Sequence, residues 1–233
     1  RQSVAVRDLG APMDIVWVKL PWPAAWDPGH VRAYVGGGHL LVVFQAAEGG
    51  LQLAWVILKG HYGELRARGI EEWVAEMQHY VCPELAAHLA ANVSNLSRPF
   101  LLDAVTDRVE GWATPGSLLI GDAAHTMSPV GGQGLNVAMR DAVVAANHLV
   151  PAFRDGTDID AAAARVEMER GPEIDRIQFL AAQPPRVVLG TRFYHAWVRA
   201  ILTRSAGLPF VRQRGGAVID AFLNGTTRVE LQV

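Results

Sequence analysis

A chain of 233 residues, half of them hydrophobic and carrying a net charge of −2, is long enough for one large or two small domains. It has no basic tract and no interleaving of basic with aromatic residues, which argues against a nucleic-acid partner. The single cysteine, Cys82, rules out a disulfide framework or a thiolate metal cluster, and no apolar run approaches the roughly 20 residues that span a bilayer. Without a secretory signal, the charge balance fits a cytoplasmic protein. The chain starts Arg1-Gln2-Ser3 with no initiator Met, so it reads as a piece of a longer one.

Taken in order, Val4 and Val6 alternate as in a strand. Met13 to Leu20 is rich in β-formers (Ile15, Val16, Trp17, Val18) and is stopped by Pro21 and Pro23. Leu40–Gln45 and Leu51–Leu58 are predicted strands, and Ala46-Ala47-Glu48-Gly49-Gly50 between them reads as a hairpin loop. Together these predict an antiparallel sheet. Trp17, Phe44 and Trp55 either line a pocket or form sheet core, packing being the usual use of a large aromatic. Residues 60–92 read helical: Ile70, Trp73, Val74 and Met77 share a face, and Pro83 starts a second helix with Leu85, Leu89 and Ala90. Residues 100–105 predict a strand returning to the first domain, and 109–115 a turn. Residues 116–120 form a short apolar run of the kind that makes a buried parallel strand. Leu135, Ala138, Met139, Ala142, Ala146 and Leu149 have helical spacing, with Pro151 as the expected stop. Asp158 or Asp160 can cap a further helix running toward Leu180, which Gln183-Pro184-Pro185 should break. Residues 187–202 are amphipathic and basic, and are expected to pack their apolar face on the protein instead of lying on a membrane. There is no internal repeat.

The chemistry concentrates between Gly121 and Asn136, GDAAHTMSPVGGQGLN. The order is strand, acidic residue, loop with a glycine cluster, helix. In open α/β sheets ligands sit outside the carboxyl ends of the strands, and Asp122 directly follows such an end. A carboxylate there accepts hydrogen bonds from vicinal hydroxyls of a sugar-like chain. Gly131, Gly132 and Gly134 let backbone N–H groups approach a ligand, and they open a helix whose N-terminus favours negative charge. Asp122 and His125 lack a third ligand at a spacing that suits a metal. Ser128 sits in no G-x-S-x-G elbow, so a hydrolase is not indicated. His125 either contacts the ligand or bonds to backbone, and Asn136 either faces the ligand or caps the helix.

These residues resemble the second FAD-binding motif of the flavin-dependent aromatic hydroxylases, the para-hydroxybenzoate hydroxylase-like monooxygenases. The motif is matched by Gly121-Asp122-Ala123-Ala124-His125, Pro129, Gly131-Gly132-Gln133-Gly134, Asn136 and Asp141. The resemblance implies that Asp122 binds the ribityl chain. It also implies that Pro129, Gly131, Gly132, Gln133, Gly134, Leu135 and Asn136 lie along the cofactor, facing its pyrophosphate and the pyrimidine end of the ring. A helix N-terminus aimed there would stabilise the anion of the reduced flavin. Ser3 and Arg7 resemble the tail of a middle motif whose Asp-Gly pair would precede residue 1; a polar terminus with one strand explains them equally. No G-x-G-x-x-G joins a strand to a helix, so the adenine-nucleotide βαβ unit of the family is missing.

The resemblance thus implies an α/β plus α+β fold: an incomplete Rossmann-like FAD-binding domain, an antiparallel-sheet substrate domain and C-terminal helices. The expected divisions are residues 1–12 (remnant of the FAD-binding domain), 13–104 (substrate domain), 105–156 (second flavin motif and helix) and 157–233 (C-terminal helical region). The implied activity is hydroxylation of a small, aromatic substrate with FAD, NAD(P)H and O2. A reductase, dehydrogenase or halogenase of the same fold is an alternative, as is an inactive truncated flavoprotein that binds FAD poorly. No catalytic acid or base is nominated, because the oxygen chemistry belongs to the cofactor.

Overall fold

The computed structural model describes residues 4–36, 38–190 and 227–233, together with scattered positions between 197 and 225. Ser3 and most of the basic amphipathic stretch at 187–202 lie outside the described residues. The chain divides into two compact units, one of residues 12–104 with 185–202, the other of residues 1–11, 105–184 and 203–233.

The first of these is built on a five-stranded antiparallel sheet. Its strands are β2 (Met13–Leu20), β3 (Arg32–Gly36), β4 (His39–Gln45), β5 (Leu51–Leu58) and β6 (Phe100–Leu102), in spatial order β3-β4-β5-β2-β6. The predicted hairpin is present: Gln45 pairs with Leu51, and the loop closes through Ala46 N–H to Gly50 C=O at 2.8 Å. Strand β3 was not legible in the sequence; it turns tightly into β4, with Gly36 opposite His39 and Gly38 at φ +87°. Residues 100–102 do not leave for the other unit but pair with β2 at the sheet edge.

Alternation sorts the sheet's two faces. Val16, Val18, Leu41, Val43, Leu53, Trp55 and Ile57 point to the face covered by α1 (Tyr62–Arg68), α2 (Ile70–Gln78) and α3 (Pro83–Ala91), where Leu65, Trp73, Val74, Met77, Leu85 and Leu89 complete one core. Trp55 is 1% exposed and belongs to that core. Trp17 and Phe44 fall on the opposite face, in edge-to-face contact with centroids 6.0 Å apart. Pro83 occupies the first turn of α3, as its fixed φ and missing N–H favour. Buried Asp14 ties the ends of the segment together. It accepts hydrogen bonds from Lys59 Nζ (2.8 Å), Gly60 N–H and Ala104 N–H (3.0 Å each). Burial alone would raise its pKa, but these donors win and hold its carboxyl below the usual range.

The other unit is smaller in sheet content. Strand β1 (Ala5–Asp8) pairs antiparallel with β7 (Asp107–Glu110), so a strand stands where part of a turn was expected. The run at 116–120 is not a parallel strand. Only Ser117–Leu118 (β9) is extended in a ladder, and it pairs antiparallel with Ala113–Thr114 (β8). A parallel strand needs a parallel neighbour, and none lies beside it among the described residues.

Two long helices follow, α4 (Gly134–Asp155) and α5 (Ile159–Val188). Pro151 does not stop α4. The helix passes through it and ends at Gly156, which takes the left-handed conformation (φ +64°) while Thr157 N–H reaches Ala152 C=O at 3.0 Å. Likewise α5 runs through Pro184 and Pro185. Asp158 is the residue that caps α5, accepting from Ala161 N–H at 3.0 Å, whereas Asp160 accepts from Gly116 N–H at 2.8 Å. Asp158→Ala is expected to lower stability by about 1 kcal/mol, read as a small downward shift of the urea midpoint at unchanged slope.

Candidate functional site

The turn that carries the site is fixed from both sides. Ile120 is extended, and residues 121–123 then make one tight turn closed by the N–H groups of Ala124 and His125, both bonding Gly121 C=O at 2.9 Å. Gly121 has φ +58°, and a Cβ on it would stand 3.0 Å from Ala138 Cβ, so only glycine lets this turn press against α4. Ala124 C=O accepts from Val109 N–H at 2.8 Å, which docks the turn on β7. The next residue group is stitched by Thr126, whose Oγ1 donates to Asp107 Oδ1 (2.6 Å), and by Gln178, whose amide donates to the Asp107 and Thr126 carbonyls.

From this platform Asp122 projects into solvent, with no hydrogen-bond partner among the described residues. Its Oδ1 lies 4.0 Å from the point where a Cβ on Gly134 would stand. The carboxylate therefore faces the first residue of α4 across a space that any side chain at 134 would enter. Gly131 and Gly132 have φ +72° and +64°, conformations that glycine tolerates and that expose their backbone. Gln133, which precedes the 22-residue α4, makes no side-chain capping bond to it. Asp122, Gly131 and Gly132 are all exposed.

The other residues singled out in the sequence divide into two groups. Leu135 (72% exposed) and Asn136 stand at the surface of the first helical turn. Gln133 is buried and holds the loop, its Nε2 donating to Gly131 C=O at 2.9 Å, and Asn136 Nδ2 donates to Gln133 Oε1 at 3.3 Å. Pro129 is half-buried and precedes the turn of residues 130–132. Gln133 and Asn136 also line a cavity of about 370 Å³ beside α4, bounded by Arg140 and Gly225.

Among the described residues the His125 side chain bonds neither the exposed turn nor the backbone. It is 1% exposed, its ring packs 5.0 Å from that of Trp112, and its Nε2 bonds Asp141 Oδ2 at 2.8 Å. Asp141 is the centre of a buried network the sequence did not reveal. Its Oδ2 also accepts from Gly121 N–H (3.0 Å), and its Oδ1 accepts from Arg170 Nε (2.8 Å). Arg170 pairs in turn with Glu173, and Glu173 with Arg140 (2.9 Å). Burial opposes the charge on Asp141, but the bonds from His125, Arg170 and Gly121 outweigh it and keep its pKa low. The network reaches the last residues: Thr227 N–H donates to Glu173 Oε1 at 3.2 Å, and Arg140 donates to Asn224 C=O at 2.6 Å. A Cβ on Gly225 would overlap the Arg140 guanidinium. Thus α4 is held by ion pairs with α5 and by hydrogen bonds with the C-terminal segment.

Asp122, the glycine turn and the start of α4 thus share one surface. Comparison with known proteins bears on this stretch. Residues 73–170 match the model of the FAD binding domain family. The 6-methylpretetramide 4-monooxygenase of Streptomyces rimosus is 34% identical over 190 residues, covering 80% of this chain and 44% of that protein. Kynurenine 3-monooxygenase of Stenotrophomonas maltophilia is 42% identical over 86 residues, 36% of this chain and 18% of that one. Two solved structures share the fold. Klebsiella pneumoniae HpxO complexed with FAD and uric acid has TM-score 0.63 and 20% identity, over 96% of this chain and 54% of that one. Pseudomonas aeruginosa PqsL in complex with 2-aminobenzoylacetate has TM-score 0.66 and 23% identity, over 82% and 52%. The chain thus carries part of an FAD binding domain and is similar to FAD-dependent monooxygenases. It spans less than half the length of the curated relatives it matches.

Proposed function

We propose that this chain supplies the ribityl- and ring-binding side of the FAD site in a cytoplasmic monooxygenase that hydroxylates a small aromatic substrate with NAD(P)H and O2. The observation that carries the reading is the placement of Asp122 against Gly134 at the uncapped start of α4. FAD, when bound, supplies the redox chemistry, taking reducing equivalents from NAD(P)H and delivering them to O2. The residues of this chain bind and orient. Asp122 would accept hydrogen bonds from the ribityl hydroxyls, and the start of α4 at Gly134 and Leu135 would meet the electron-rich side of the ring, where the helix dipole favours negative charge. Leu135 and Asn136 complete that surface, with Gln133 holding the loop from behind. Among the described residues no group of three or more His, Cys, Asp or Glu is placed to hold a metal, and no helix is long and apolar enough to cross a membrane.

For the substrate, the aromatic reading is supported by the sheet face bearing Trp17 and Phe44, which the helices α1–α3 leave uncovered. The partner is a small molecule, and we propose no nucleic-acid role. The test is FAD titration followed by flavin fluorescence, comparing the natural chain with Gly134→Ala. The substitution adds a methyl group that meets Met127 Cβ at 3.8 Å and so fits the fold. It should leave the fold intact, or slightly firmer, while weakening FAD. Unchanged FAD affinity in a folded Gly134→Ala protein contradicts the assignment.

A further inference from the structure

Residues 228–233 form no helix or strand, yet they are tied down group by group. A backbone outside a ladder must find its partners elsewhere, and here side chains of α4 and α5 supply them. Asn147 uses both ends of its amide: Nδ2 donates to Glu230 C=O and Oδ1 accepts from Gln232 N–H, each at 2.8 Å. Earlier on the same helix, Arg140 donates to the carbonyls of Asn224 and Thr227. Glu173 accepts from Thr227 N–H (3.2 Å) and from Thr227 Oγ1 (3.1 Å). Val229 packs on the cluster of Val144, Ala145 and Val166. Gly225 lies so close to Arg140 that it has no room for a Cβ, and its φ is +81°. Residues 224–232 are thus a strap shaped to these two helices.

The strap ends on charged groups that also hold the Asp122 turn. Arg170 gives Nη1 to Glu173 and Nε to Asp141. Asp141 in turn accepts from the N–H of Gly121, the residue before Asp122, at 3.0 Å, and bonds His125 Nε2 at 2.8 Å. One buried guanidinium therefore serves two carboxylates. While the strap is seated, Thr227 and Arg140 share the charge of Glu173. Without it, Glu173 leans harder on Arg170 and draws it from Asp141, so the hold on Gly121 slackens. Hydrogen bonds in such a low-dielectric chain strengthen one another, and a loss at one end is felt along it. The strap is not fully packed down. A cavity of about 370 Å³ is walled by Asn224, Gly225 and Val229 and by Gln133, Asn136 and Arg140. Segments with few buried apolar contacts open at low cost.

We propose that residues 224–232 are a conformational clasp: seated, they hold the Asp122 turn in its ligand-binding shape through Glu173, Arg170 and Asp141, and released, they loosen the turn and weaken its ligand. The coupling inside the protein is independent of the flavin assignment; its effect on FAD rests on the function proposed above. Two variants of the 233-residue chain release the strap by different means. Asn147→Ala removes both amide bonds and puts a better helix former within α4, so the helix stands. Gly225→Ala forces a Cβ onto the Arg140 guanidinium. Arg228→Ala is the control, because Arg228 is exposed and pairs with Glu230 within the strap. Hydrogen exchange followed by mass spectrometry and FAD titration read the result. In both releasing variants the amides of residues 227–233 and of the turn at 121–125 exchange about fivefold or more faster, and FAD binds about fivefold or more weakly. Amides around Ala181 in α5 keep their natural rate, which separates the effect from general destabilisation. Arg228→Ala leaves the turn and FAD affinity unchanged. The proposal is overturned if the strap keeps its natural exchange in both releasing variants, or if it loosens while the turn does not. It is equally overturned if FAD binds as tightly once the turn has loosened, or if Arg228→Ala loosens the turn as much as Asn147→Ala. Turn amides that loosen in a chain that binds no FAD support the clasp and refute the flavin reading.

Discussion

Arg170→Met is expected to destabilise the unit of residues 105–184 by about 3–5 kcal/mol, the usual effect of breaking a buried ion pair on one side. Arg170, Asp141 and Glu173 are each 2% exposed or less. Removing the guanidinium leaves two carboxylates in the interior, one still bonded by His125 and Gly121, the other by Arg140 and Thr227. Those partners do not replace the lost charge at Asp141 Oδ1, where Arg170 Nε sits at 2.8 Å. Urea unfolding followed by far-UV circular dichroism reads the loss. Fluorescence from Trp112, packed on His125, follows the same unit. A fall of less than about 1 kcal/mol would mean that the network is not a source of stability. The pH dependence has a definite sign. Asp141 titrates below its unfolded value, so its contribution is fully present above about pH 4 and disappears as pH falls through the depressed folded value. Loss of Arg170 removes one of the donors that depress it, and the acid-unfolding midpoint should therefore move to higher pH.

Asp122→Ala should weaken FAD by about ten- to a hundredfold, the range for hydrogen bonds to a charged acceptor. Stability should stay within about 0.5 kcal/mol of the natural chain, because the side chain is exposed and unbonded. The separation of the two readouts is what marks a ligand contact. Asp122→Asn keeps the size and one acceptor and should recover part of the affinity. If both variants bind FAD like the natural chain, the carboxylate is an ordinary surface group and the flavin surface lies elsewhere.

How far the sequence led depended on whether the interacting residues were close in the chain. The Gly121–Asn136 motif is contiguous, and the structure brings Asp122 to Gly134 because the intervening loop simply folds back onto α4. The β2 strand was readable as a run of β-formers ended by Pro21 and Pro23, and β4 and β5 as apolar runs flanking a Gly-containing loop. Strand β3 was hidden: Arg32-Ala-Tyr-Val-Gly is too short and too mixed at a sheet edge to show a period. The strand β7 was hidden for the same reason, its Arg108 being buried by partners on α5 at Asp175 and Gln178. Prolines misled at 151 and at 184–185, where the long helices continue regardless. The Asp141–Arg170–Glu173 network leaves no local trace, since charged residues on helices usually mark solvent. His125 could be placed in a loop, but its partner sits on a helix 16 residues later. Only the match of Asp141 to the family motif hinted that this acid had a fixed partner.

The stitch at Asp14 couples two distant points of the chain. Asp14 lies at the point where the chain enters the five-stranded sheet, and Ala104 where it leaves; a single hydrogen bond of 3.0 Å joins them, and Lys59 clasps both. Entry and exit are thus neighbours, so a pull on either end of residues 12–104 is shared at once by the other.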